Sequence, residues 1–235
     1  MRKKIKTVLM LYLVTGLFFL GLVQGRNPKL ELMAQTGTNA EQTLDTENRK
    51  EIRKIAITFD DGPHPTYTEQ LLDGLKERGI HATFFVTGEH AKLHPDIIKR
   101  MQEEGHLIGN HTYSHVQLTS KNREDFKQEL IQTNEVIKEI TGEEVQYVRP
   151  PYGSWDKSFE KELNMFPVLW TIDPLDWCSK SADCVTKRIV DKAKENGIIL
   201  MHDYFDTSVT AALKVVDELT EEGYEFVTVD EILFD

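Results

Sequence analysis

From about Arg53 to its last residue the chain alternates between two kinds of segment. Seven short apolar runs (KIAITF, HATFFVTG, HLIGN, VQYVRP, PVLWTID, GIILMHD and YEFVTV) have the length and content of buried strands. Between them lie amphipathic stretches such as YTEQLLDGLKERG, HPDIIKRMQEEG and NREDFKQELIQTNEVIKEITG. In the last of these, Phe126, Leu130, Ile137 and Ile140 fall on nearly one helical face, and Gly142 is the stop. Gly79, Gly105, Gly197 and Gly223 are read the same way, each closing a helix just before the next strand. The expected architecture is therefore α/β: parallel βα units closing into a barrel or a doubly wound sheet.

In such folds the functional rim is formed where strands end and run into the following loops. The unusual polar residues of this chain fall there. AITF runs into Asp60–Asp61, LIGN into His111 and His115, and YV into Arg149-Pro150-Pro151-Tyr152-Gly153. WTI runs into Asp173 and then Asp176–Trp177, and IILM into His202–Asp203. Adjacent carboxylates repel unless something positive lies beside them. His111 and His115 stand at i, i+4, which on a helical turn puts both imidazoles on one side, as a divalent metal requires. The zincin pattern has glutamate after its first histidine; here that position is Thr112, so a general base must come from elsewhere. One aspartate of the Asp60–Asp61 pair completes a His₂Asp site with positions left open, and the other accepts a proton from water. The competing reading makes Asp61 a helix cap ahead of PTYTEQLL. Arg149 is expected to clamp Asp60 bidentately and hold it as an anion, the alternative being a surface salt bridge. His202 reads either as a buried, satisfied histidine or as the acid for a leaving group, with Asp176 to hold and tune it. His64, His81, His90, His94 and His106 read as structural or surface positions.

The chain has 235 residues, 40% hydrophobic and 29% charged, a globular balance with room for one domain and an appendage. A net charge of -11 with no basic stripe excludes a nucleic-acid partner. Arg2, Lys3, Lys4 and Lys6 precede an apolar run from Thr7 to Gly25. Residues 1–25 are thus expected to form an N-terminal hydrophobic helix, either a signal-anchor in the membrane or a signal peptide. Residues 26–51 are a polar linker, and the remainder is exported. In an exported protein Cys178 and Cys184 either close a small disulfide loop or remain two free thiols.

TFDDG, HTYSH, RPPYG, DPLDW and ILMHD, in that order, resemble the five motifs of the polysaccharide deacetylase family, the NodB-homology carbohydrate esterases of family 4. The likeness extends over residues 52–235, which makes that stretch the catalytic domain. It implies a distorted (β/α)₇ barrel and a divalent metal, zinc in first place, with cobalt or another first-row metal as alternatives. Asp61, His111 and His115 would hold the metal, and Asp60 would be the general base, oriented by Arg149. The Tyr152 backbone N–H would stabilise the oxyanion, and Asp176 would tune His202 as general acid. Pro150, Tyr152, Trp177 and Leu200 would line the substrate pocket, with Asp173 supporting the network. Where the family often has a basic residue after the tryptophan, this chain has Cys178. The implied reaction removes N-acetyl groups from an amino-sugar polymer. With a membrane segment ahead of the domain, the expected polymer is peptidoglycan, at N-acetylglucosamine. N-acetylmuramic acid, chitooligosaccharides and acetylxylan are the alternatives within the family, and a non-catalytic glycan-binding paralogue is the alternative outside enzymology.

Overall fold

β1 (Arg53–Asp60) is the strand around which the sheet is organised. Its residues from Ile55 to Asp60 are all buried, because both of its edges are paired and both of its faces covered. One edge is shared by β7 (Tyr224–Phe226), at Arg53–Ile55, and by β2 (Thr83–Val86), at Thr58–Asp60. The other edge pairs with β6 (Gly197–His202) over Ile55–Asp60. Beyond β2 the sheet continues through β3 (Leu107–Asn110), β4 (Tyr147–Val148) and β5 (Phe166–Pro167), and every pairing is parallel. Each of the seven strands overlaps one of the seven apolar runs, β5 by Pro167 alone, so among the described residues the strand count and the parallel direction are as expected.

The computed structural model describes residues 53–234, within a unit running from Glu51 to Asp235. The hydrophobic N-terminal helix and most of the polar linker expected from the sequence lie outside the described residues. Among those described, no helix is long and apolar enough to cross a membrane.

The parallel sheet curls. After β5 the chain leaves β4 through the Val168 N–H to Val148 C=O bond and reaches β6, where Ile172 bridges Ile199 in parallel. The curl gives each strand an inner and an outer face, and side chains alternate between them. Ile55, Ile57 and Phe59 of β1 point outward into the main apolar cluster, with Phe84 and Val86 of β2 and Ile199 and Met201 of β6. Helices cover this outer face: α1 (Tyr67–Arg78), α2 (Gly88–Leu93), α3 (Pro95–Glu103), α4 (Arg123–Thr141), α5 (Ser158–Leu163), α6 (Ala182–Val190) and α7 (Asp206–Glu221). The buried residues of α4 are Phe126, Leu130, Thr133 and Ile137, spaced as the sequence periodicity requires. Each large apolar side chain so buried contributes about 1.5–3 kcal/mol. The inner face carries a smaller apolar cluster of Ala56, Phe85, Val168 and Ile198, joined by Val229 of the short C-terminal α8 (Val229–Leu233). By the same parity Thr58 and Asp60 of β1 point inward.

Close packing inside the curl makes one position intolerant. A Cβ on Gly109 of β3 would overlap the Phe85 ring and lie 3.2 Å from the Tyr147 carbonyl oxygen. Gly109→Ala is expected to cost about 1–3 kcal/mol of folding stability, read as a lower urea midpoint at unchanged slope. One glycine departs from its expected role. Gly197 is the first residue of β6 rather than a helix stop, and Asn196, at φ 56°, takes the left-handed turn before it. Asparagine tolerates that conformation because its short polar side chain adds little steric penalty there.

Candidate active site

Because all strands run the same way, their C-terminal ends meet at one rim, and register decides which residues face one another. Asp60 of β1 pairs with His202 of β6. Asn110 of β3 pairs with Val148 of β4, which brings His111 beside Arg149; His111 Nδ1 lies 2.6 Å from the Arg149 carbonyl oxygen. A cleft of about 360 Å³ opens at this rim. Asp60, Asp61, His111, His115 and His202 line it, and Pro150, Tyr152, Trp177 and Leu200 form the rest of its expected wall. Arg149 and Asp176 lie behind that wall, 0% and 1% exposed. Trp170 and Asp173 complete the lining.

The backbone explains how two adjacent aspartates both serve one cleft. Asp60 ends an extended strand, whereas Asp61 is left-handed, at φ 75°. The chain therefore swings at that residue, and both carboxylates reach His111 Nε2, Asp60 Oδ2 at 3.8 Å and Asp61 Oδ1 at 3.3 Å. Among the described residues, five of the seven non-glycine residues at positive φ belong to this rim: Asp61, Thr112, His115, Tyr152 and Leu175. Such conformations cost about 1–3 kcal/mol each and persist where surrounding structure enforces them. Here the Thr112 N–H donates to Asn110 Oδ1 at 2.7 Å, and the Asn110 amide is itself held by Leu130 O and Asn134 of α4. The His111–His115 segment is thus not the helical turn its spacing suggests. Two left-handed residues turn a loop so that the imidazole centroids come within 4.9 Å.

Three ligand atoms, one each from Asp61, His111 and His115, lie within 4.8 Å of one another. Asp61 Oδ1 is 3.3 Å from His111 Nε2 and 3.5 Å from His115 Nε2. These separations are close to the edge of about 3.3 Å that a tetrahedral cation with bonds of 2.0–2.1 Å would span. Asp61 Oδ1 is buried without a hydrogen-bond partner, a costly arrangement unless something positive completes it. Burial pushes the Asp61 carboxyl up, but the neighbouring imidazoles, His111 foremost, outweigh that effect and hold it at about 2. Burial and the adjoining His111 push the His115 imidazole down, against the pull of Asp61 and Asp60, which favours the neutral, ligating form. The three residues fit a divalent metal. Asp61 does not cap α1, whose N-terminal residue is preceded by Thr66.

Arg149 is fully buried and holds Asp60, but not bidentately. Nη1 donates to Asp60 Oδ1 at 2.8 Å and to Thr58 Oγ1 at 2.6 Å, while Nε donates to the Val168 carbonyl at 3.0 Å. The expected fork is split because the inner face of β1 offers Thr58 one step below Asp60, and because Val168 leaves its carbonyl toward the barrel interior. The guanidinium also lies 4.2 Å over the Phe85 ring. Asp60 Oδ2 stays on the cleft side, 3.8 Å from His111 Nε2.

His202 is held as expected. Its Nδ1 lies 2.9 Å from Asp176 Oδ1, while Asp176 Oδ2 accepts from the His202 N–H at 2.9 Å and from Ser208 Oγ at 2.7 Å. Burial pushes this imidazole down, yet Asp176 first, then Asp60 and Asp61, raise it to about 9. His202 is therefore an imidazolium at neutral pH. Tyr152, at φ 58°, stands on the Pro151–Gly153 turn, 67% exposed, with its ring 5.1 Å from that of His115. Asp173 Oδ1 accepts from the Leu175 N–H at 2.8 Å, shaping the turn that delivers Asp176. Cys178 and Cys184 are both free and exposed in this structure. Cys178 Sγ donates to the Leu175 carbonyl at the end of its own turn.

Sequence reasoning passed over two features. Trp170 lines the cleft, and its only signal was an aromatic residue three positions ahead of Asp173. Asp203, 1% exposed, was visible only as the last letter of ILMHD; burial pushes its carboxyl up to about 7, against the hydrogen bond from Thr68.

A carboxylate–dihistidine group beside a buried, arginine-held carboxylate and an imidazolium is the constellation of a metal-assisted hydrolytic centre. The chain belongs to the polysaccharide deacetylase family, whose model matches residues 47–168. It is 35% identical over 210 residues to the peptidoglycan-N-acetylmuramic acid deacetylase PdaC of Bacillus subtilis, covering 89% of this chain and 44% of that protein. The solved structure of PdaC superposes with a TM-score of 0.73 at 36% identity, covering 78% of this chain and 91% of the structure's. A peptidoglycan-N-acetylglucosamine deacetylase of Bacillus cereus is 38% identical over 182 residues, covering 74% of this chain and 66% of that protein. A chitooligosaccharide deacetylase of Rhizobium leguminosarum is 41% identical over 190 residues, covering 73% of this chain and 88% of that protein. The chain thus spans less than half the length of PdaC and about two thirds of the B. cereus enzyme.

Proposed function

We propose that this protein is a metal-dependent hydrolase that removes N-acetyl groups from an amino-sugar polymer, releasing acetate. The observation that carries this reading is the convergence, in one cleft, of the Asp61–His111–His115 group with an arginine-held Asp60 and an Asp176-held His202. The donor set of two imidazoles and a carboxylate favours zinc, with cobalt or another first-row metal as substitutes. A divalent cation held there supplies Lewis acidity, which activates water and polarises the amide carbonyl. Asp60 accepts a proton from the attacking water through Oδ2, its other oxygen being engaged by Arg149. The Tyr152 N–H, presented on its left-handed turn, donates to the oxyanion that develops at the carbonyl, a contact worth about 3–4 kcal/mol in other enzymes. His202 protonates the departing nitrogen, so that one water and one amide give acetate and a free amine. Leu200, Trp177 and Pro150 wall the space for the acetyl group and the sugar.

We assign peptidoglycan as the polymer and N-acetylglucosamine as its residue. Two supports converge: the activities named for the Bacillus relatives, and the basic and apolar residues 1–25, which suit an outward-facing domain held at the membrane or exported through it. For the whole chain this reading is a distorted (β/α)₇ barrel behind an N-terminal hydrophobic helix and a linker. N-acetylmuramic acid is the second reading, favoured by the PdaC similarity. Purified protein is expected to release acetate from peptidoglycan, to lose activity in a chelator, and to regain it with added zinc. Chitin oligomers and acetylated xylan run alongside. Release from those two alone would keep the chemistry and overturn the wall assignment. No release from any substrate by zinc-loaded protein would replace the enzyme with a glycan-binding protein.

A further inference from the structure

Asp203 follows His202 but plays no part in the chemistry above. It is 1% exposed, and Oδ1 has no hydrogen-bond partner. A buried acid with half of its acceptor capacity unused costs stability, so its presence calls for another account. Its other oxygen, Oδ2, accepts from Thr68 Oγ1 at 2.5 Å. Thr68 Oγ1 in turn accepts from the His64 N–H at 2.7 Å. A hydroxyl that accepts from that N–H keeps its own proton for Asp203. The carboxylate also lies flat against Gly62, where a Cβ would overlap both of its oxygens.

These contacts join two parts of the cleft. Asp203 extends β6 just beyond His202, whereas Gly62 and His64 belong to the turn that begins at Asp61. The opposite flank of that turn is tied to the start of α2, through the Thr87 N–H to the Gly62 carbonyl at 3.1 Å and through His90 Nδ1, 2.8 Å from the Asp61 carbonyl. The left-handed turn at Asp61 is therefore gripped from both flanks, and the β6 flank of the grip is Asp203.

We propose that Asp203, acting through Thr68 and Gly62, is a positioning residue that locks the Asp61 turn to β6 and so sets metal affinity. The proposal rests on the reading of Asp61 as a metal ligand. Groups that orient metal ligands typically change affinity 10–100-fold when removed. The experiment is a zinc titration of the purified, metal-stripped protein against a chelating dye, with thermal melting of the apo-protein alongside. Asp203→Ala and the nearly isosteric Thr68→Val are each expected to weaken zinc binding by tenfold or more. Asp203→Asn, which keeps a carbonyl oxygen for the Thr68 hydroxyl, is expected to recover much of the loss. Thr68→Val decides the matter should Asp203→Ala fail to fold: a loss smaller than fivefold overturns the proposal, and a larger loss at an unchanged apo melting temperature supports it. A parent protein that binds no zinc would instead overturn the metal-site reading, so the two failures are distinguishable.

Discussion

Asp60→Asn is expected to lower kcat for acetate release by about three orders of magnitude while leaving zinc affinity within a few-fold of the parent protein. The expectation follows from how the two oxygens of Asp60 are divided. Oδ1 is committed to Arg149, and Oδ2 remains on the cleft side, 3.8 Å from His111 Nε2. An asparagine that keeps its carbonyl toward Arg149 presents an N–H₂ group to the cleft, where the proposed reaction needs an acceptor. Asp61→Asn should behave in the opposite order, losing zinc first and activity as a consequence, because Asp61 Oδ1 sits between the two imidazoles. Stability is the confounding variable. Arg149 is fully buried, and removing the negative partner of a buried charge costs about 3–5 kcal/mol. Its bonds to Thr58 and Val168 remain, which keeps the asparagine variant nearer the lower figure. Circular dichroism and a melting curve establish that the variant is folded at the assay temperature. Full activity in folded Asp60→Asn would remove Asp60 from the role of base.

Much of this site was legible because the sequence carries the two periodicities that build it. Strands such as AITFD and IILMH combine apolar outer positions with inner positions that turn polar at the strand end, so Asp60 and His202 stand out at a glance. What was not legible is what depends on backbone conformation rather than residue type. The i, i+4 spacing of His111 and His115 argues for a helical turn, but Thr112 and His115 take left-handed conformations that no local propensity demands. Thr112 is held from α4 through Asn110 and its partners Leu130 and Asn134, and Ser114, next to His115, through Glu129; those contacts are tertiary. Arg149 was legible as a partner for Asp60. The split of its donors among Asp60, Thr58 and Val168 depends on a curl that one strand cannot foretell. The same holds for Asp203: a second aspartate after a conspicuous histidine gives no sign that it will meet Thr68, 135 positions away.

Asp176→Asn is expected to act through His202 and to be read most clearly as a pH profile. Asp176 receives three hydrogen bonds on two oxygens, from His202 Nδ1–H, the His202 backbone N–H and Ser208. Asparagine has one acceptor oxygen. If that oxygen serves the backbone N–H and Ser208, the amide N–H₂ faces Nδ1, and the imidazole must offer a lone pair there, which only its neutral form has. The charged acid is thus lost at neutral pH. Burial already opposes that charge, and Asp176 is the largest influence raising His202 to about 9, so its removal lets desolvation prevail. The parent profile should fall as pH rises through the pKa of His202, and a bound cation places that limb somewhat below 9 by like-charge repulsion. In Asp176→Asn the limb moves to lower pH by about 2 units, which lowers kcat at pH 8 by about 10–30-fold. Stability should change with the same sign. A raised histidine contributes stability that is fully present below its unfolded value of 6.5 and is lost as pH climbs through about 9. The metal-free parent should therefore lose melting temperature across that window, and Asp176→Asn should lose less of it. An alkaline limb that stays in place in the folded variant would mean that another group delivers the proton.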